Sequence, residues 1–204
     1  GRQAQKMPPR SGHDPFRRRW LTYINDPANP EPRSRLDEMV ARFVKKRLAA
    51  ALGDRWEHLV YQSEPSLRVH LANTRALGTR HCDAQYFHQP NEINFWMPVV
   101  AKVWGANSLY CESSPGARDF APLEAKRGQF VQFYGNQCMH YTTTNTTDVT
   151  RVSIDMRVVP LPLFDPSWVS PKGTVPFQLG MYYASTAAPR PRRVPQRSPE
   201  CDDE

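Results

Sequence analysis

The sequence predicts a mainly β domain, a sandwich or barrel braced by one N-terminal α-helix. One apolar stripe of helical period occurs early, at 35–52. Beyond Gly53 the chain turns into short β-type runs separated by Gly, Pro and Asn turns. Its 204 residues suffice for one well-buried core and fall short of two comfortable ones.

The elements follow in chain order. Residues 1–19 are polar, proline-rich and almost without aliphatic side chains, as are residues 187–204. Such segments bury too little apolar surface to offset chain entropy. The reading is therefore a mobile basic N-terminal segment at 1–19, one domain at 20–186 and a disordered Pro/Arg-rich tail at 187–204. A hydrophobic fraction of 39% with 20 prolines fits a chain whose ends do not pack. In the helix at 35–52, Ser34 is the expected N-cap, with Asp37 at the third helical position. Leu36, Met39, Val40, Phe43, Val44 and Leu48 form its stripe, read as core, and Gly53 ends it.

Strands are expected at 57–62, 67–72, 92–100, 108–112, 129–134 and 149–159, with one more at 177–183. The run at 149–159 alternates most cleanly. Val149, Arg151, Ser153, Asp155 and Arg157 share one face; Thr150, Val152, Ile154, Met156 and Val158 share the other. A polar strand face usually meets solvent, but in a sandwich or barrel that binds a ligand it can line the cavity.

The formal charge of +7 owes much to Arg17, Arg18, Arg19, Arg190, Arg192, Arg193 and Arg197, in or beside the two ends. Solvated tails account for it, and no nucleic-acid-binding motif accompanies the arginines. No apolar run approaches the roughly 20 residues of a membrane span, and no signal-peptide core is present. Cys82, Cys111, Cys138 and Cys201 show no CxxC or framework spacing, which points to a reduced, intracellular and cytoplasmic setting. The chain begins with Gly rather than Met, consistent with processing or with a domain of a larger protein.

Three pieces carry chemistry: His81-Cys82-Asp83, His140, and Arg151-Val152-Ser153. On extended backbone the outer residues of HxD project to one side and can take adjacent positions on a metal. A histidine 57 residues beyond Asp83 supplies a third ligand. Two imidazoles and one carboxylate suit iron(II) and leave three positions open. Arg151, 11 residues beyond His140, is placed to bind the far carboxylate of a 2-oxo diacid bidentately, with the Ser153 hydroxyl beside it.

The stretch from about Leu67 to Pro160 resembles the iron(II)/2-oxoglutarate-dependent dioxygenases. Within them it leans toward the phytanoyl-CoA-hydroxylase-like branch and its antibiotic-biosynthesis relatives, such as the streptomycin-cluster oxygenases. HCD at 81–83, NEINFWMPV at 91–99, GANSLYCESSPG at 105–116, YGNQCMH at 134–140 and TRVSIDMRVVP at 150–160 carry the resemblance. It implies a double-stranded β-helix (a jelly roll, cupin-like), iron ligation by His81, Asp83 and His140, and 2-oxoglutarate binding by Arg151 with Ser153. It also implies O2 consumption and oxidation of a small-molecule substrate, with release of succinate and CO2. Halogenating relatives have a small residue at the carboxylate position, so Asp83 favours hydroxylation or a related oxidation.

Asn94 is a further candidate for the cosubstrate or a ligand. Arg68, His88, Tyr134 and Arg157 are candidates for substrate contact, and His70, Asn73 and Asn136 for lining the cavity. Three competing readings remain at this point. One is a zinc site that adds Cys82 or Cys138 to the triad. Another is a non-catalytic jelly-roll binding module. The last is an oxygenase acting on nucleic acid or protein, for which the aromatics between Tyr86 and Tyr110 would serve as stacking surfaces.

Overall fold

A computed structural model describes residues 15–53, 56–169 and 177–187. The chain opens with helix α1, Pro15–Ile24, and helix α2, Glu31–Phe43, continues through a π-helical turn, Val44–Leu48, into a last α-turn, α3, Ala49–Ala51. Among the described residues eleven strands follow: β1 Leu59–Gln62, β2 Ser66–His70, β3 Ile93–Pro98, β4 Lys102–Val103, β5 Leu109–Cys111, β6 Ala121–Pro122, β7 Ala125–Lys126, β8 Val131–Phe133, β9 His140–Thr142, β10 Arg151–Pro160 and β11 Tyr183–Ser185. All pairings between them are antiparallel, so the described chain is mainly β with supporting helices.

The larger sheet runs β11-β1-β10-β3-β8, with β2 also paired to β10. Strand β10 is its spine. On one side it meets β1 and β2 in succession, with Tyr61 opposite Val158 and Ser66 opposite Asp155. Four residues, 62–65, thus stand opposite two, Met156 and Arg157, and this bulge leaves Gln62 within reach of Arg157. On its other side β10 pairs with β3, Arg157 opposite Asn94. A three-stranded sheet, β6-β5-β9, and a ribbon, β4-β7, complete the pairings.

The period-2 pattern of β10 gives the larger sheet two unlike faces. Phe95, Met156 and Val158 point to one face, where Val40, Val44 and Leu48 of the helix cover them. Val44 and Leu48 are fully enclosed, and each contributes about 1.5–3 kcal/mol by leaving water. The opposite face carries Asn94, Arg151, Ser153 and Arg157, all buried. The polar face of β10 is therefore an interior surface.

Several expectations are corrected. Residues 15–19, assigned to a mobile segment, form the first half of α1, which packs against β2 and α2. The basic run hid an apolar anchor, Ile24, which is 1% exposed. Helix α2 begins at Glu31, not at 35. Pro30 and Pro32 are tolerated there because the first-turn N–H groups lack helical partners in any case. Ser34 is consequently inside the helix, its N–H bonded to the Pro30 carbonyl, and does not cap it. Asp37 pairs instead with Arg33 at 2.8 Å. Met39, read as core, is 53% exposed, because the buried line is Val40, Val44, Leu48 and Met39 sits a step off it.

The strand expected at 177–183 forms only at its last residue. Gly180 turns the chain at φ +83°, its N–H bonded to the Tyr183 carbonyl, and pairing to β1 starts there. The rest of the two terminal segments read as mobile, residues 1–14 and 188–204, lies outside the described residues.

Candidate metal centre

His81 and His140 meet through the backbone. His81 N–H donates to the His140 carbonyl at 3.1 Å, and His140 N–H donates back at 2.8 Å. Residues exchanging both bonds lie directly opposite and project their side chains to one face. The ring centroids are accordingly 4.5 Å apart. Each imidazole is also oriented. His81 Nδ1–H donates to the Thr79 carbonyl (2.7 Å) and His140 Nδ1–H to the Cys138 carbonyl (3.0 Å). A carbonyl only accepts, so the proton is on Nδ1 and the Nε2 lone pair is left for a metal.

Asp83 leaves the extended line at once. Cys82 is extended, and Asp83 then starts a 3-10 turn, Asp83–Tyr86. Two loop carbonyls fix that turn, Gly135 accepting from Asp83 N–H (2.9 Å) and Asn136 from Ala84 N–H (3.1 Å). The carboxylate ends 1% exposed, with Oδ1 3.7 Å from His140 Nε2. Together His81, Asp83 and His140 offer ligand atoms within 4.8 Å of one another, and among the described residues they are the group that could hold a metal. No cysteine sulfur joins them, so the zinc set with Cys82 or Cys138 has no geometric support.

Two of the sequence candidates surround Asp83. Asn94, a candidate for the cosubstrate, donates through Nδ2 to Asp83 Oδ2 at 2.7 Å. Gly135 permits this, since a Cβ there would lie 2.7 Å from the Asn94 amide. Arg157, a candidate substrate contact, is buried and clasps Asp83 through Nε–Oδ2 (2.8 Å) and Nη2–Oδ1 (2.9 Å). Burial alone would raise the Asp83 pKa. Arg157, His140 and Asn94 outweigh it and hold the carboxyl well below the usual range.

Other candidates also have structural work. His88 Nδ1 is 2.9 Å from Glu92 Oε2 and packs against Phe177 and Tyr182. The Tyr134 hydroxyl donates to the Pro90 carbonyl. Asn136 Nδ2 ties down the His88 and Gln89 carbonyls. Arg68 pairs with Asp155 at 3.2 Å, which neutralises the middle of the polar face. Asn73 occupies a turn at φ 55°.

Arg151 is different. It is 2% exposed, and the bond its guanidinium makes is from Nη1 to the Asn107 carbonyl, at 3.2 Å. Its Nε, Ser153 Oγ and Asn107 Nδ2 are buried without hydrogen-bond partners. Trp96 lies under the guanidinium at 5.9 Å. Burial draws the Arg151 pKa down to about 10, with Asp155 opposing and Arg68 reinforcing, so the group stays cationic at neutral pH. A buried cation with an unpartnered Nε, beside two further orphaned polar atoms, is costly in itself. The same set is the donor arrangement that a carboxylate would satisfy.

Burial lowers the pKa of both His140 and His70, the latter helped by the Arg151 charge. The unfolded chain therefore takes up these protons first. The stability the two neutral rings contribute is complete above the ordinary histidine value of about 6.5 and is lost as pH falls below it. Thermal melts of metal-free protein should be level from about pH 8 to 7 and decline from roughly pH 6.5 downward, ahead of the carboxylates. A level profile down to pH 5 would show that the rings protonate without resistance.

No protein-family model matches the sequence. Over 133 residues the chain is 33% identical to the streptomycin biosynthesis protein StrG of Streptomyces griseus, an alignment covering 65% of this chain and 63% of that protein. The chain thus spans a little under two thirds of the curated relative's length. Similar solved structures include the α-ketoglutarate-dependent epimerase SnoN from nogalamycin biosynthesis (16% identity, TM-score 0.47, 60% of this chain and 56% of that one). A non-haem monooxygenase, ThoJ, crystallised with nickel, shows 15% identity and a TM-score of 0.45, over 55% of this chain and 49% of that one. HygX from Streptomyces hygroscopicus, with nickel, 2-oxoglutarate and hygromycin B bound, shows 12% identity and a TM-score of 0.36, over 61% and 64%.

Proposed function

We propose that this chain is the metal- and cosubstrate-binding domain of a non-haem iron(II)- and 2-oxoglutarate-dependent oxygenase on a double-stranded β-helix, oxidising a small molecule. The observation that carries the reading is the pairing of two sites. A His-Asp-His group brings its ligand atoms within 4.8 Å of one another, and a buried Arg151 stands beside Ser153 Oγ and Asn107 Nδ2, neither of which has a hydrogen-bond partner. Neither zinc ligation nor a passive binding module calls for the second site. The likeness to StrG, a protein named for streptomycin biosynthesis, supports a small-molecule substrate over nucleic acid or protein.

In this reading His81 and His140 ligate through Nε2 and Asp83 through Oδ1. Arg151, with Ser153 and Asn107, takes the distal carboxylate of 2-oxoglutarate and so orients its keto acid end toward the triad. When bound, iron(II) and O2 supply the oxidising chemistry, one oxygen atom leaving in succinate as CO2 is released and the other serving to oxidise the substrate. The buried polar face of β10 keeps bulk water from the cosubstrate. His81 is the most exposed of the three ligands, and Tyr86, edge-on to its ring at 5.1 Å and 52% exposed, borders it. The substrate then approaches from that side, and Asp83, by filling the carboxylate position, directs the outcome to hydroxylation or a related oxidation.

The test is ordered binding after anaerobic reconstitution. One iron(II) per chain is expected, with 2-oxoglutarate binding that requires the metal, followed by succinate release in air. Metal-loaded protein that takes up no 2-oxoglutarate would refute the reading.

A further inference from the structure

Asp83 is gripped from behind by groups drawn from distant parts of the chain. Oδ2 accepts from Arg157 Nε (2.8 Å) and Asn94 Nδ2 (2.7 Å). Oδ1 accepts from Arg157 Nη2 (2.9 Å) and lies 3.7 Å from His140 Nε2. A carboxylate oxygen has about two lone-pair sites. Oδ2 is therefore saturated, and the site remaining on Oδ1 lies on the imidazole side.

Arg157 is itself clamped. Its Nη1 donates to Gln62 Oε1 (3.3 Å) and to the Tyr182 hydroxyl (3.2 Å), and Glu92 Oε2 lies 3.5 Å from Nε. Glu92 is held in turn by His88 and by a hydrogen bond from the Tyr183 hydroxyl. The bulge before β2 supplies Gln62, and the segment entering β11 supplies both tyrosines. This is more apparatus than a buried ion pair needs to balance one charge.

Resting on the assignment of His81, Asp83 and His140 as ligands, we infer that Arg157, fixed by Gln62, Glu92 and Tyr182, is a positioning residue that confines Asp83 to monodentate ligation through Oδ1. A carboxylate free to rotate can bind through both oxygens and take an additional position around the metal. A chelating 2-oxo acid needs two adjacent positions, so the clamp protects cosubstrate binding as well as metal binding. Partners of ligating carboxylates and imidazoles commonly govern affinity in this way.

Cobalt(II) serves as the probe, since its visible spectrum reports coordination. Wild-type protein should bind one cobalt per chain; failure there would refute the ligand assignment itself rather than the role of Arg157. Arg157→Gln removes the charge and the fork, Arg157→Lys restores only the charge, and Tyr182→Phe loosens the clamp from its far side. Arg157→Gln is expected to bind cobalt ~10- to 100-fold more weakly, with an altered spectrum and weaker 2-oxoglutarate binding to the loaded protein. Lysine should recover part of the affinity but not the wild-type spectrum, and Tyr182→Phe should shift both readouts less, in the same direction. A merely structural ion pair predicts a lower melting temperature with cobalt affinity and spectrum unchanged, and that result in Arg157→Gln overturns the inference. If the glutamine variant does not fold, the same result in Arg157→Lys overturns it, and if neither folds, in Tyr182→Phe.

Discussion

Asp83→Ala is expected to cost the metal-free protein about 3 kcal/mol of folding stability, besides abolishing metal binding. The reason lies in its partner. Arg157 is buried and gives two of its nitrogens to Asp83, so truncation leaves an enclosed guanidinium without its main counter-charge. Removing one member of such a pair typically costs about 3–5 kcal/mol, and Glu92 at 3.5 Å keeps the loss near the low end. His81→Ala should behave otherwise. That ring is only partly buried, and its polar partner is a single carbonyl, so the cost should stay under about 1 kcal/mol while metal binding is lost all the same. Urea unfolding of the metal-free proteins separates the two. Asp83→Ala within 1 kcal/mol of the parent would mean that the Arg157 clasp does not support the fold. The ion pair is what distinguishes the two variants.

Why the triad could be read from the sequence and the clasp could not is a matter of range. His81 and Asp83 are separated by one residue, and Arg151 and Ser153 occupy alternate positions of a cleanly alternating strand, so local geometry implied that each pair is adjacent. Arg157 lies on the same strand face as Arg151, and nothing local says that one clasps a ligand while the other lacks a carboxylate partner. That distinction comes from Asp83, 74 residues away, and from Gln62, Glu92 and Tyr182, which share no motif. Asn94 stands on the strand after the first ligands, but its role depends on Gly135, whose missing side chain admits the amide.

The fold divides in a similar way. The alternation of β10 and the helical line Val40, Val44, Leu48 announced the two faces of the larger sheet. Strands of two or three residues, such as β4, β6, β7 and β9, are too short for a period of two to show. Helix α1 was obscured because three consecutive arginines outweighed Trp20 and Ile24. Pro30 and Pro32 disguise the start of α2, since proline fits a helix only in its first turn, where the missing N–H has no helical partner to lose.

Arg151→Leu should separate stability from function in the opposite sense to Asp83→Ala. In the folded protein Arg151 Nε has no hydrogen-bond partner, and Nη1 has a single long bond to the Asn107 carbonyl. The charge is buried nonetheless, and its pKa is already drawn down to about 10. Replacing it with an apolar side chain removes a desolvation cost. The melting temperature of the metal-free variant should therefore be unchanged or higher. Metal affinity should hardly move, because Arg151 is not among the groups that converge on the metal position. Cosubstrate binding should collapse. A distal carboxylate that loses its buried counter-charge forfeits roughly 2–5 kcal/mol, a ~30- to several-thousand-fold weakening. Paired titrations give the answer, first iron(II) alone and then 2-oxoglutarate into iron-loaded protein, alongside a melt of each metal-free form. Unchanged 2-oxoglutarate affinity would remove Arg151 from the site. A sharp loss of stability would show that the residue is a packing element whose partners have been misjudged. A stable variant that binds metal and no longer binds 2-oxoglutarate would mark Arg151 as a residue kept, at a cost to the fold, for a ligand.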